Sequence, residues 1–330
     1  MNCDRRTFIQ SAGSAIGAAT VLGGVGTAAA AGSYTNHTHD GFDYWKYVPD
    51  GVGAGDPLVV MLHGCSQTAD QFREETRMNE VADSEGFAVI YPDQYNARNG
   101  ALCWNWFYDA NTTRGDGEAA VIAGMTQETI DAEGIDSERV YVAGLSAGAA
   151  MVPNLLAEYA DLYAAGGVHS GLEYDAADTA YGGTTAMTYG GPDPQDQGTD
   201  AYETMEDYGI TSPVPTIVFH GTDDTTVYPV NGHQAAEQAT QTNDLASDGA
   251  DDDDTDYAAD AVSEGSSEGY GYTTYEYRDD SGDTVVEKWM VEGMDHAWSG
   301  GASGGEFTAP GGPDASRIIW EFFEGRTNGE

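Results

Sequence analysis

The chain has 330 residues, with 12 Lys and Arg against 56 Asp and Glu, and a formal net charge of −44. So acidic a surface excludes a nucleic-acid-backbone binder, which needs clustered cations to displace counterions, and it disfavours an anionic membrane surface. With 40% hydrophobic and 11% aromatic residues a buried core is available, so general disorder is excluded. The charge then reads as that of a halophile, where molar salt brings the Debye length to roughly 3 Å and screens self-repulsion.

The N-terminus, Asp4-Arg5-Arg6-Thr7-Phe8-Ile9, leads into an Ala/Gly-rich stretch and the small residues Ala28 to Ala31. That arrangement predicts a twin-arginine export signal over 1–31, with a catalytic domain over 32–330 and a secreted, extracellular protein. The stretch is too weakly apolar for a membrane span. Processing removes Cys3 and leaves Cys65 and Cys103. Two cysteines in an exported chain predict a disulfide.

Downstream, short apolar runs alternate with helical stretches. Leu58–Leu62, Phe87–Tyr91, Arg139–Ala143, Thr216–Phe219 and Val285–Val291 read as strands, while Glu118–Ala132 and Ser316–Phe323 read as helices. Continuous apolar strands between helices predict an α/β fold, with a mostly parallel sheet covered on both faces and chemistry at the strands' carboxyl ends. The stretch 239–269, with Asp251 to Asp254, is polar and acidic. It reads as a solvated surface insertion, and its carboxylates lack the spacing of a calcium-binding EF-hand loop.

Three strand ends carry chemistry. Gly144-Leu145-Ser146-Ala147-Gly148 between a strand and an Ala-rich helical stretch is a nucleophile elbow, with Ser146 as nucleophile and the Ala147 N–H as an oxyanion donor. Downstream come the acids Asp223 and Asp224 after one strand and His296 after another, in the order Ser, acid, His. His169, His220 and His233 compete as the base, but His220 precedes the acid and His169 follows the serine closely.

These residues resemble the poly(3-hydroxybutyrate) depolymerase family of esterases, related to feruloyl and acetylxylan esterases on the α/β-hydrolase fold. The resemblance runs from about Tyr44 to Phe323. It rests on His63-Gly64-Cys65-Ser66-Gln67, Cys103-Trp104-Asn105-Trp106-Phe107, Arg114-Gly115-Asp116-Gly117-Glu118, Gly144–Gly148, His220-Gly221-Thr222-Asp223-Asp224 and His296-Ala297-Trp298. It implies a triad of Ser146, Asp224 and His296, oxyanion donors at the Cys65 and Ala147 N–H groups, and a Cys65–Cys103 bridge. The implied activity is carboxylic ester hydrolysis through an acyl-enzyme, with no metal or organic cofactor. The partner is an ester substrate, either a hydroxyalkanoate oligomer or polymer or an acylated sugar, acted on by a monomer. Trp104, Trp106 and Trp298 are candidate pocket walls. The alternatives are a feruloyl or acetylxylan esterase, a serine peptidase, which would need a further cap or propeller domain, and an inactive exported polymer-binding protein.

Overall fold

The computed structural model describes residues 32–95, 97–251 and 258–328. The expected export signal over 1–31 and the centre of the acidic run, 252–257, lie outside the described residues. β1 (Ser33–His39) and β2 (Phe42–Val48) form a hairpin about Asp40-Gly41, both at positive φ, the backbone that a tight antiparallel turn requires. Then follow β3 (Leu58–Leu62), α1 (Ala69–Thr76), α2 (Met78–Glu85), β4 (Ala88–Pro92), α3 (Asp109–Thr112), α4 (Gly117–Glu133), β5 (Val140–Leu145) and α5 (Ala147–Glu158). The chain continues through β6 (Ala165–His169), α6 (Ala180–Tyr189), α7 (Pro194–Asp207), β7 (Thr216–Gly221) and α8 (Val230–Asp248). It ends with β8 (Ala261–Ser267), β9 (Tyr270–Arg278), β10 (Thr284–Val291), the two-residue strands β11 (Trp298–Ser299) and β12 (Thr308–Ala309), and α9 (Ala315–Phe323).

The main sheet has the order β1-β2-β4-β3-β5-β6-β7-β10-β9-β8. Its centre, β4 to β10, is parallel, and both edges are antiparallel hairpins. Side chains alternate between two cores. Leu58, Val60 and Leu62 join α4 and α5 on one face, and Val59 and Met61 join α1, α2 and α9 on the other. Burial on both faces is why these strands are apolar without interruption. After β3 the chain builds β4 on one side, then crosses to place β5 on the other. The crevice at such a reversal, outside the carboxyl ends of the strands, is where a ligand fits. Here it lies between the loop after β3 and the turn after β5.

The stretch 239–269 is not one solvated insertion. Its first ten residues finish α8 and are largely buried, with Asn243 Oδ1 accepting from Val214 N at 2.8 Å and Thr242 Oγ1 donating to Gly198 O at 3.0 Å. This helix face packs through Ala, Thr, Gln and Asn, so no large-apolar periodicity marks it. Residues 261–267 are the edge strand β8, paired antiparallel with β9.

Candidate active site

β5 runs into Ser146, which has φ 56 and ψ −119 and caps α5. A non-glycine residue held there costs of order 1–3 kcal/mol, sustained by its surroundings. Ser146 N donates to His169 O at 3.0 Å, and Ala150 N to Ser146 O at 2.9 Å. The flanking glycines let backbones meet. A Cβ on Gly144 would lie 2.5 Å from Gly148 C, and one on Gly148 would lie 2.1 Å from Leu62 O. The helix N-terminus is thereby pressed against the end of β3, from which Gly64 and Cys65 continue.

Asp224 stands in the turn after β7 and is 2% exposed. Its Oδ1 accepts from Thr226 N and Val227 N, both at 2.9 Å, and its Oδ2 lies 2.7 Å from His296 Nδ1. Burial pushes the Asp224 carboxyl up, but the His296 hydrogen bond and the neighbouring imidazoles outweigh it, and the net shift is downward. Nδ1 being engaged, Nε2 is the His296 nitrogen left for the cleft, which His296 and Ser146 both line. Asp223 is exposed; its N–H donates to Met294 O at 3.2 Å, and its carboxylate has a 3.5 Å contact from Thr222 Oγ1.

The other histidines are held elsewhere. His169 Nε2 accepts from Ser299 N at 3.0 Å, its ring stacked on Trp298 and Phe219. His220 Nε2 donates to Val227 O at 2.8 Å and lies 3.6 Å from Asp224 Oδ2. His233 Nδ1 takes a hydrogen bond from Lys288 Nζ at 3.2 Å, and burial with that neighbouring charge lowers it to about 4.

The loop after β3 faces the elbow. Gly64 N donates to Gln67 Oε1, Ser66 N to Ala101 O and Gln67 N to Gly64 O. Among the described residues the Cys65 N–H has no protein acceptor. Ala147 is the first residue of α5, where N–H groups lack intrahelical partners. Cys65 and Cys103 form a disulfide, tying this loop to the segment where buried Glu118 accepts from Asn105 N and Nδ2 and from Gln94 Nε2, at 2.5–2.6 Å. Burial raises Glu118, and those three bonds only partly offset it.

A second buried carboxyl organises the opposite wall. Glu75 Oε2 accepts from Gln67 Nε2 at 2.6 Å, and Oε1 from Glu306 N at 2.7 Å. One side chain thus couples the Cys65 loop to the segment bearing Phe307. The cleft, about 260 Å³, is lined by Ser146, His296, Gly64, Cys65, Ser66, Gln67, Leu145, Met187, Thr226 and Phe307.

The expected tryptophan pocket is corrected. Trp104 and Trp298 are fully buried, Trp106 is 4% exposed, and none lines the cleft. Trp104 stacks on Phe42, and Trp298 donates from Nε1 to Ser316 Oγ at 3.1 Å. Wide rings beside catalytic motifs serve here to fix the loops from behind. The apolar walls are instead Met187, from α6, and Phe307, neither marked by any motif. Among the described residues no group of three or more His, Cys, Asp or Glu side chains is arranged to hold a metal ion, and no helix is long and apolar enough to cross a membrane.

The family profile described as "Esterase PHB depolymerase" matches residues 42–255. Poly(3-hydroxyalkanoate) depolymerase C of Paucimonas lemoignei is 34% identical over 76% of this chain and 57% of its own. Feruloyl esterase B of Thermothelomyces thermophilus is 33% identical over 58% of this chain and 67% of its own. Among solved structures, the acetyl xylan esterase from Aspergillus awamori superposes with a TM-score of 0.65 at 25% identity, covering 80% of this chain and 94% of that one. The chain thus has an α/β-hydrolase fold and spans little more than half the length of the depolymerase.

Proposed function

The chain belongs to the PHB depolymerase family of esterases, and from that premise we propose that it is a carboxylic ester hydrolase working through Ser146, His296 and Asp224. His296 Nε2 takes the Ser146 Oγ proton as the oxygen attacks the ester carbonyl, and later returns it to the leaving alcohol. Asp224 fixes the imidazole so that Nδ1 holds a proton and Nε2 a lone pair, and it stabilises the imidazolium that forms. The Cys65 and Ala147 N–H groups receive the oxyanion, the latter aided by its place at a helix N-terminus. Water then repeats the sequence on the acyl-enzyme. The single observation that carries this reading is the 2.7 Å His296–Asp224 bond, with His296 on the cleft that Ser146 lines from a strained turn.

We infer further that residues 1–31 direct twin-arginine export, that the domain follows from residue 32, and that the mature monomer works outside the cell in high salt. The paired arginines, the disulfide and the charge of −44 support this. The substrate is a hydroxyalkanoate ester or an acylated sugar. Release of p-nitrophenol from a short-chain ester in molar salt, by the wild type and not by Ser146→Ala, tests the hydrolase. A wild type that binds oligomers and releases nothing would make it a binding protein.

A further inference from the structure

His220 lies near the end of β7, with its backbone paired to Met290 of β10 and its side chain fully buried. Val227 O can only accept, so its 2.8 Å contact with Nε2 fixes a proton on that nitrogen. Nδ1 then carries a lone pair and has no hydrogen-bond partner among the described residues. It abuts α8 instead: a Cβ on Gly232 would lie 2.7 Å from His220 Cβ, Cγ and Nδ1. A proton added at Nδ1 would be buried there without an acceptor, and burial lowers the pKa of the imidazole from the usual histidine value. His220 is therefore a neutral ring locked in one tautomer.

The locked N–H closes a ring of contacts around Asp224. His220 Nε2 holds Val227 O, while Val227 N and Thr226 N both donate to Asp224 Oδ1 at 2.9 Å. The same Nε2 lies 3.6 Å from Oδ2, the oxygen that meets His296 Nδ1. That is too long for a second hydrogen bond, but it sets the positive end of the N–H beside a buried carboxylate. The other side of the turn is held to the base loop. Thr222 N donates to Val291 O at 2.9 Å and Asp223 N to Met294 O at 3.2 Å. Gly221 permits this approach, since a Cβ there would stand 2.1 Å from Met294 O. The turn bearing Asp224 is thus tied to the segment before His296 at one end and to the His220 ring at the other.

His220 is not among the residues that line the cleft of Ser146 and His296, so it acts on neither substrate nor the reacting atoms. We propose that His220 is a positioning residue, whose single N–H clasps Val227 and so aims the Asp224 carboxylate at His296 Nδ1. Volume alone does not meet this demand. A ring of the same size without a donor would take from buried Val227 O the partner it has now, and with it the anchor of the amide that holds Asp224 Oδ1. A histidine that competes in sequence for the part of base thus serves the acid instead. This rests on the reading of Ser146, His296 and Asp224 as the triad of an ester hydrolase.

The test compares His220→Phe, which keeps a ring but no donor, with His220→Gln, whose amide N–H reaches the Nε2 position. Both are assayed on p-nitrophenyl acetate beside the wild type, with denaturant melts as the check on folding. His220→Phe should lower kcat about tenfold, the equivalent of one hydrogen bond, with KM held within about twofold. His220→Gln should recover most of that loss. Wild-type kcat in His220→Phe, a loss carried by KM, or equal losses in the two variants overturns the proposal. If His220→Phe does not fold, Gly232→Ala takes its place. There the imidazole and its donor stay, but the new methyl displaces them by about 0.7 Å, from 2.7 Å to ordinary contact near 3.4 Å. Unchanged kcat in that variant overturns the clasp. Proton NMR in the Ser146→Ala background separates the two readings. The His296 Nδ1 proton, drawn far downfield by its carboxylate partner and identified by its loss in Asp224→Asn, should persist with His220→Gln. It should move or vanish with His220→Phe or Gly232→Ala. That result supports the clasp even if no ester is cleaved, in which case only the hydrolase reading fails. An unmoved proton in those variants overturns the clasp even if p-nitrophenyl acetate is cleaved.

Discussion

Gly148→Ala probes the join on which the site depends. The added methyl would stand 2.1 Å from Leu62 O, 2.5 Å from Leu62 C and 2.6 Å from His63 O. All three are backbone atoms of β3 and the residue after it, so no side chain can turn aside. Ordinary contact begins near 3.4 Å, so α5 and β3 must part by 3.4 − 2.1, about 1.3 Å. Ser146 and Ala147 travel with α5, while Cys65 stays with the β3 loop, so the two proposed oxyanion donors separate. Overpacking of this kind costs about 1–3 kcal/mol, and a displacement of about 1 Å in a catalytic constellation costs about 100-fold in rate. The assay pairs a denaturant melt with kcat on p-nitrophenyl acetate. Gly100→Ala is the control, because a Cβ there meets nothing within 4 Å. If Gly148→Ala keeps wild-type kcat and stability, the close approach does not set the elbow. If it loses stability but keeps kcat, the donors are not where this reasoning puts them.

Asp224→Asn should lower kcat by about 10⁴-fold, as loss of the orienting acid does in serine hydrolases, and Asp223→Asn by no more than a few-fold; the reverse result moves the acid to Asp223. Thiol titration of denatured, unreduced protein spanning 32–330 should find no free cysteine, and Cys65→Ser/Cys103→Ser should cost about 4 kcal/mol for a 38-residue loop. Burial raises Glu173 from 4.5 to about 8, so between those values the folded state holds a proton that the unfolded state has released. Its contribution is therefore fully present below pH 4.5 and falls as pH rises towards 8, by at most about 1.4 kcal/mol per unit. Glu173→Gln should flatten that decline in melts from pH 5 to 9, and an unchanged slope would refute the assignment. With a net charge of −44, the melting temperature should climb steeply from dilute buffer to a few tenths molar salt as screening sets in; a flat profile would sink the halophilic reading.

Strands buried on both faces were legible because period and composition agree. Leu58–Leu62 is β3 as expected, and Glu118–Ala132 falls within α4. β6 was not legible, because Ala165-Gly166-Gly167 lacks a branched apolar signal. Its glycines make room for packing: a Cβ on Gly166 would lie 2.5 Å from Leu156 Cδ1, and one on Gly167 3.0 Å from Ala143 Cβ. The strand-to-helix turn at Ser146 was legible because a strained turn of this kind needs glycines at fixed offsets. The walls of the cleft were not. Met187 and Phe307 reach it through tertiary packing of α6 and of the segment after β11, and no local pattern encodes such an approach. The tryptophans misled for a related reason. Proximity in sequence to the motif cysteine and histidine says nothing about which side of the loop an indole occupies.

The charge of the chain and the design of the site also bear on each other. Glu75, Glu118 and Asp224 are all nearly fully buried, and among the described residues no Lys or Arg pairs with any of them within 4 Å. Their partners are backbone N–H groups, the amides of Gln67, Gln71, Gln94 and Asn105, and one imidazole. A short hydrogen bond in a dry interior is barely screened by salt, whereas an exposed Lys–carboxylate pair loses most of its attraction in molar salt. With only 12 cationic side chains in the sequence, and with the high-salt habitat proposed above, buttressing the loops of the candidate site with neutral donors would separate two demands. The surface can respond to ionic strength while the distances that orient His296 and the Cys65 loop do not. The same logic accounts for Gln67 in the loop motif. A lysine there would offer Glu75 a charge but could not also accept from Gly64 N, and that acceptor is what holds the turn ahead of Cys65.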